Sequence, residues 1–268
     1  IKEAFKDEQI DILHQKQSQK YNGHFVIATV HQLYRFKQHF DTVFIDEVEA
    51  FPLSMDPNLS LAIQTASKAI HSHIYMTATP PRQLIKQMSS HKVIKLPARF
   101  HRQPLPVPHF KHFKLNTSRV QSQLIHLFQA QIKQQRYTLV FFNHIETMKD
   151  AYHKYRAHIP NLICVYSEDV YRFDKVEALR RGEHSIVFTT TILERGFTMA
   201  RLDVIVINAE TFSKAALIQI AGRVGRKMEE PKGLVLFLHE GVSLSMIKAK
   251  KDITEMNRLG YERGWLDA

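Results

Sequence analysis

Apolar residues in this 268-residue chain gather in short runs, and between the runs they fall at helical spacing. Residues 25–30 (FVIATV), 42–45 (TVFI) and 73–77 are compact runs of the kind that buried parallel strands require. Between and after them, residues 59–70 carry the spacing of a helix, and residues 81–88 start one with proline in its first turn. The pattern resumes further on. It predicts helices over 118–134, 146–157 and 171–181 and strands over 138–142, 162–166, 185–189, 203–207 and 233–238. A basic amphipathic helix is expected over 243–259. The first twenty residues are rich in Lys and Gln, and Ile10, Ile12 and Leu13 suggest no more than part of a helix. Strand and helix alternate throughout, which predicts an α/β layered fold with mostly parallel sheets.

The alternation is interrupted once. KLPARFHRQPLPVP, residues 95–108, holds four of the ten prolines and reads as a stiff, extended connection. The expected organisation is a first domain over 1–97, a linker over 98–112 and a second domain over 113–268, the last ending in the basic helix. A chain of this length can bury two cores of ordinary size.

The octapeptide QIAGRVGR, residues 219–226, has its own logic. Continued as a helix, it sets Gln219, Arg223 and Arg226 at i, i+4 and i+7 on one face. Gly222 and Gly225 would each cost that helix about 1 kcal/mol relative to alanine. Two permanently charged forks of donors on a backbone made slim by glycine suit phosphate, although a basic solvated face has the same composition. Other chemistry-bearing residues sit where strands end. Asp46-Glu47-Val48-Glu49 follows an apolar strand directly, at the edge where open α/β sheets bind ligands. Asp46 there can hold Mg²⁺ through its water shell, and Glu47 can orient a water; acidic residues after a strand also serve as helix caps. Thr77 and Thr79 in TATPP, and Thr190, Thr191, Glu194 and Gly196 in TTTILERG, offer hydroxyls and a close backbone approach, or ordinary turns. Thr29, His31 and Arg35 follow the first strand, where Thr29 is also a natural helix cap.

Composition narrows the partners. With 37 Lys+Arg against 26 Asp+Glu the net charge is +11, which favours a polyanion over an acidic protein. The single cysteine, Cys164, excludes an intramolecular disulfide and a cysteine zinc cluster, and its neighbours in LICV place it on a buried strand. The sixteen histidines show no ligand spacing. No run is long and apolar enough to span a bilayer, and no secretory signal opens the sequence, so a soluble cytoplasmic protein is expected.

ATVHQL, DEVEAFP, TATPP, VFFN, TTTILERG and QIAGRVGR, in this order and at these spacings, resemble the motifs of a superfamily 2 helicase or translocase core. DEVE resembles its Walker B box. DEVEAFP, LPARFH followed by PLPVP, and TTTILERG are most similar to the bacterial late-competence DNA-uptake ATPase (ComFA) family; primosomal replication-restart helicases are the next relatives considered. The resemblance implies two RecA-like domains, the first incomplete, and a DNA-dependent ATPase that moves along single-stranded DNA during uptake of transforming DNA. It implies ATP and Mg²⁺ as cofactors, with Asp46 on the metal, Glu47 on the hydrolytic water, and Thr77 and Thr79 coupling hydrolysis to movement. Arg223 and Arg226 would serve as arginine fingers beside Gln219, and Glu194 and Gly196 would lie near the nucleotide. Thr29, His31, Arg35, Asn143, Thr190 and Thr191 would line the strand path. Partners implied are single-stranded DNA, the competence channel and cytosolic DNA-handling proteins, which is compatible with a peripheral position at the inner face of the membrane. Glu49 stands where the family usually has Asp. No G-x-x-x-x-G-K-[ST] occurs in the 268 residues. The expectation is therefore an N-terminal truncation that removed the phosphate loop and any zinc module, leaving a chain with little ATPase activity of its own. A replication-restart helicase and a non-catalytic helicase-like binding module stay open as alternatives.

Overall fold

The computed structural model describes residues 5–14, 24–49, 53, 56–87, 93–190 and 197–267. By its contacts the chain divides into two compact units, Ile1–Lys92 and Val93–Ala268. All the described strand pairings are parallel.

Among the described residues, the first unit holds two small sheets. Strand β1 (Ile10–Leu13) pairs with β2 (Phe25–Ala28), and β3 (Phe40–Ile45) pairs with β4 (Ser67–Tyr75). A 3-10 turn, Val30–Arg35, follows β2. Helix α1 (Pro57–Ala66) begins at Asp56, whose carboxylate accepts the Asn58 N–H, with proline pre-set in the first turn. It buries Leu59, Ala62, Ile63 and Ala66, the i, i+3, i+4, i+7 face of a helix. Residues 59–70 are thus not helical to their end. Ser67 turns extended at ψ 147, its hydroxyl donates back to the Ile63 carbonyl, and β4 begins there. Helix α2 (Arg82–Gln87) closes the unit. Ile10, Ile12 and Leu13 form a strand rather than a helix: with alternate residues buried, IDIL has the period of two.

The second unit is one six-stranded parallel sheet in the order β5-β10-β9-β6-β8-β7. Its strands are β5 (His109–His112), β6 (Tyr137–Phe141), β7 (Ile163–Val165), β8 (Ile186–Thr189), β9 (Leu202–Val206) and β10 (Val235–His239). Both faces are covered. Leu139 and Phe141 of β6 point into one core with Val187, Val204, Leu217 and Met246, while Val140 and Phe142 enter the other with Phe188, Phe128 and Tyr155. This double burial is why the central strands read as unbroken apolar runs. The covering helices are α3 (Ser122–Lys133), α4 (Ile145–Tyr155), α5 (Arg172–Arg180), α6 (Lys214–Ala221) and α7 (Leu244–Glu262). Ser213 and Ser243 cap α6 and α7 through their hydroxyls. Cys164 lies buried on β7 as expected, and burial pushes its thiol pKa up.

Two parts of this unit differ from the pattern's expectation. Strand β5 was not foreseen, because His-Phe-Lys-His is a half-polar edge strand that pairs only with β10. The proline-rich stretch also belongs to this unit by its contacts, where it is stitched down along its length. The side chain of Asn257 on α7 accepts the Leu105 N–H at 2.7 Å and donates to the Leu105 carbonyl at 2.8 Å. Arg263 donates to the Lys95 carbonyl, and Arg102 pairs with Asp267. No described helix is long and apolar enough to cross a membrane.

Candidate functional site

In the first unit, the end of β3 turns sharply at Asp46-Glu47. Asp46 is exposed, and one of its carboxylate oxygens accepts the Glu47 N–H at 2.9 Å. Glu47 adopts φ +48, a left-handed conformation that costs a non-glycine residue about 1–3 kcal/mol and clusters at functional sites. Val48 behind it is buried beside Ile45 and Ile63, which fixes the turn on the sheet. The neighbouring strand ends in the Thr77–Thr79 turn, and the two turns are joined. Met76 N–H donates to Ile45 O at 2.8 Å, and Thr79 Oγ1 donates to Glu49 Oε1 at 3.3 Å. Thr77 Oγ1 in turn accepts the Thr79 N–H at 3.0 Å. Glu49 therefore meets the Thr77–Thr79 turn directly.

One exposed carboxylate fits Mg²⁺ held mainly by phosphate and water, because Mg²⁺ dehydrates reluctantly and needs few protein ligands. Among the described residues, no group of three His, Cys, Asp or Glu side chains is placed to hold a metal by itself.

The arginine octapeptide is built otherwise than its spacing implies. Helix α6 stops at Ala221, so Gln219 is helical while Arg223 and Arg226 are not. After Gly222 the chain continues in tight turns, Arg223 N–H to Ile220 O and Val224 N–H to Ala221 O. Gly225 then reverses it at φ +65, where a Cβ would come within 2.0 Å of the Pro231 carbonyl oxygen. The glycines thus end a helix rather than weaken one. Arg223 is buried, and its guanidinium donates to the Phe197 carbonyl at 3.2 Å. Gln219 is buried as well, whereas Arg226 is partly exposed and donates through Nε to Gly222 O at 2.8 Å.

Two residues that spacing alone did not single out hold this turn. Arg99 donates to Val224 O at 2.6 Å and to Gly222 O at 2.9 Å, and His101 meets Gly225 O at 2.8 Å. Burial, and then the charge of Arg226, lower the Arg99 pKa to about 10, which leaves it charged at neutral pH. Both lie more than 120 residues before their partners, in the LPARFH stretch, which the sequence marked out as a proline-rich connection and through the resemblance, but not as a partner of the arginine turn.

The carboxyl edge of the large sheet gathers further candidates. Phe141 of β6 is in register with Thr189 of β8 and Val206 of β9, so Asn143, Thr190 and Asn208 all follow the ends of adjacent strands. Asn143 is exposed, with a long 3.5 Å contact from Nδ2 to Thr211 O. Thr190 is buried, and its carbonyl accepts from Thr189 Oγ1 at 3.2 Å. In the first unit Thr29, His31 and Arg35 are all exposed around the 3-10 turn, and the Thr29 side chain makes no capping bond. Thr191, Glu194 and Gly196 lie outside the described residues.

Residues 119–228 match the helicase conserved C-terminal domain. Over 243 residues the chain is 37% identical to competence protein ComFA of Bacillus subtilis, covering 87% of this chain and 52% of that protein. Over 263 residues it is 36% identical to competence protein ComFA of Streptococcus pneumoniae, covering 93% and 60%. The chain thus spans between half and two thirds of the length of these relatives. Its fold is similar to that of S. cerevisiae Dbp5 bound to RNA and ADP BeF3, with a TM-score of 0.64 at 13% identity, covering 92% of this chain and 67% of that one. Mycobacterium smegmatis helicase Lhr, bound to ssDNA and AMP-PNP, gives 0.61 at 16% identity, covering 95% and 37%.

Proposed function

The chain is a helicase-like relative of the ComFA competence proteins, and from that premise we propose that its protein is a DNA-dependent ATPase that draws transforming single-stranded DNA into the cell. The observation that carries the reading is the presence, in one chain, of a strained acidic turn at a strand end and a built arginine turn.

In this reading Asp46 binds the Mg²⁺ that accompanies ATP, and that ion would neutralise charge on the transferring phosphoryl group. Glu47, fixed by its left-handed backbone, orients the attacking water. Arg226 stabilises charge that develops on phosphate, an effect worth about 10³–10⁵ in rate where arginine fingers have been assessed. Arg223 is too buried to move freely and anchors the turn from beneath, with Gln219 beside it. Thr79, bonded to Glu49, links the acidic turn to the strand end next to it and so to movement. Glu194 and Gly196 complete the nucleotide contacts. Thr29, His31, Arg35 and Asn143 meet the strand's phosphates and sugars, together with Thr191. Thr190 supports that edge from within. Through each cycle of hydrolysis the two units alternate their grip on the strand. Competence-channel and cytosolic DNA-handling proteins are the partners that this activity needs.

The test is ATP hydrolysis by the full-length protein with and without single-stranded DNA. Stimulation by the strand is expected. An absence of hydrolysis under both conditions, with DNA still bound, would instead favour the non-catalytic module. The 268-residue chain alone, which contains no phosphate-loop motif, is expected to hydrolyse little ATP. Strand binding should weaken steeply with salt as counterions are released.

A further inference from the structure

We infer that Arg99 and His101 are positioning residues for Arg226, holding the turn 222–226 in the one shape that presents its guanidinium. This rests on the phosphate role proposed above for Arg226. The turn that follows α6 bonds the helix's last carbonyls through Arg223 N–H and Val224 N–H, which leaves its own carbonyls, at Gly222, Val224 and Gly225, to be met by side chains. The planar fork of Arg99 spans two of these carbonyls at once, Gly222 and Val224, and its charge suits a helix C-terminus. His101 takes a third. Its Nδ1 accepts the Gln103 N–H, so Nε2 carries the proton and donates to Gly225 O.

The decisive contact is shared. Gly222 O accepts from Arg99 at 2.9 Å and from Arg226 Nε at 2.8 Å, so the carbonyl on which Arg226 is hinged is the one that Arg99 fixes. A brace needed only for stability would not have to place its guanidinium beside that of Arg226. The repulsion is felt by Arg99, whose pKa burial and Arg226 lower to about 10. Leu105, bonded twice to Asn257, and Arg102, paired with Asp267, anchor the stretch that carries both residues.

The test uses the full-length protein with Arg99→Met, Arg99→Lys, His101→Gln and Arg226→Ala. Misplacing a catalytic group by about 1 Å can slow a reaction by about 100-fold. Arg99→Met is therefore expected to lower the DNA-stimulated kcat for ATP by about 10- to 100-fold, with KM within about 2-fold. Arg99→Lys should rescue poorly, because one ammonium cannot span two carbonyls. Arg99→Met should add nothing in the Arg226→Ala background. Without nucleotide, amide hydrogen exchange over 222–227 should quicken in Arg99→Met and His101→Gln while β6 and β9 keep their protection. A wild-type kcat in Arg99→Met and His101→Gln, with Arg226→Ala inactive, would overturn the inference, as would unchanged exchange over 222–227. Should Arg99→Met lose protection in β6 as well, His101→Gln and Arg99→Lys decide by the same two readouts. Wild-type hydrolysis by Arg226→Ala would overturn the underlying reading instead.

Discussion

The acidic turn after β3 and the arginine turn after α6 carry complementary chemistry on very different supports. The acidic turn sits on a two-stranded sheet with residues open to solvent, Phe44 62% and Ile70 90% exposed. The arginine turn grows from a six-stranded sheet covered on both faces, and side chains from a distant stretch bind its carbonyls. Two-stranded sheets are marginal in water by themselves, whereas a doubly covered parallel sheet has a core of its own. Stability is therefore concentrated in the second unit. In the first, local backbone geometry at Glu47 and a few hydrogen bonds carry the precision.

The sharpest way to break this contrast is to make the same substitution in both supports. Phe141→Ala, in the buried face of β6, is expected to destabilise the second unit by about 3–5 kcal/mol. Phe44→Ala in β3 should change stability by no more than about 0.5 kcal/mol; urea titrations of both variants would show it. Equal losses would mean that the two units share one core. Of similar size is the ion pair of Arg136 and Asp203. It closes bidentately at 2.6 and 3.0 Å, and Asp203 also accepts the Leu234 N–H. Removing one partner of such a buried pair costs about 3–5 kcal/mol, so Asp203→Ala should lower the second unit's melting point while leaving protection of β3 amides unchanged. Removing the helix caps is a smaller perturbation. Ser213→Ala and Asp56→Ala should each cost about 1 kcal/mol, felt in different units.

The smallest effect concerns Cys164. Burial raises its thiol pKa, an effect only partly offset by Lys175. The folded chain keeps the proton where the unfolded chain releases it, above about pH 8.5. The unfolded state then binds fewer protons, so stability falls as pH rises through that range. Cys164→Ala should flatten this slope in denaturant titrations between neutral and alkaline pH.

The comparison also separates what the sequence made legible. The strands β6, β8 and β9 announce themselves because burial on both faces gives each a run of three or more consecutive apolar residues, LVF, IVF and VIV. Strands β1 and β5 do not, since IDIL and HFKH each mix polar with apolar positions. The acidic and arginine motifs could be picked out from residue type and order. The shape of the arginine turn could not, because helical spacing extends across Gly222 while the backbone does not. Arg99 and His101 were hidden for another reason. Their partners are backbone carbonyls far along the chain, and a carbonyl leaves no trace in residue identity.

The central proposal is that each of the two turns is needed for ATP hydrolysis by the whole protein. ATP hydrolysis by the full-length protein at saturating single-stranded DNA, measured for Glu47→Gln and Arg226→Ala beside the wild type, tests it most directly. The expected result is a loss of about 10³-fold or more in each, with affinity for the strand kept within about 2-fold. Wild-type hydrolysis by either variant would contradict the claim.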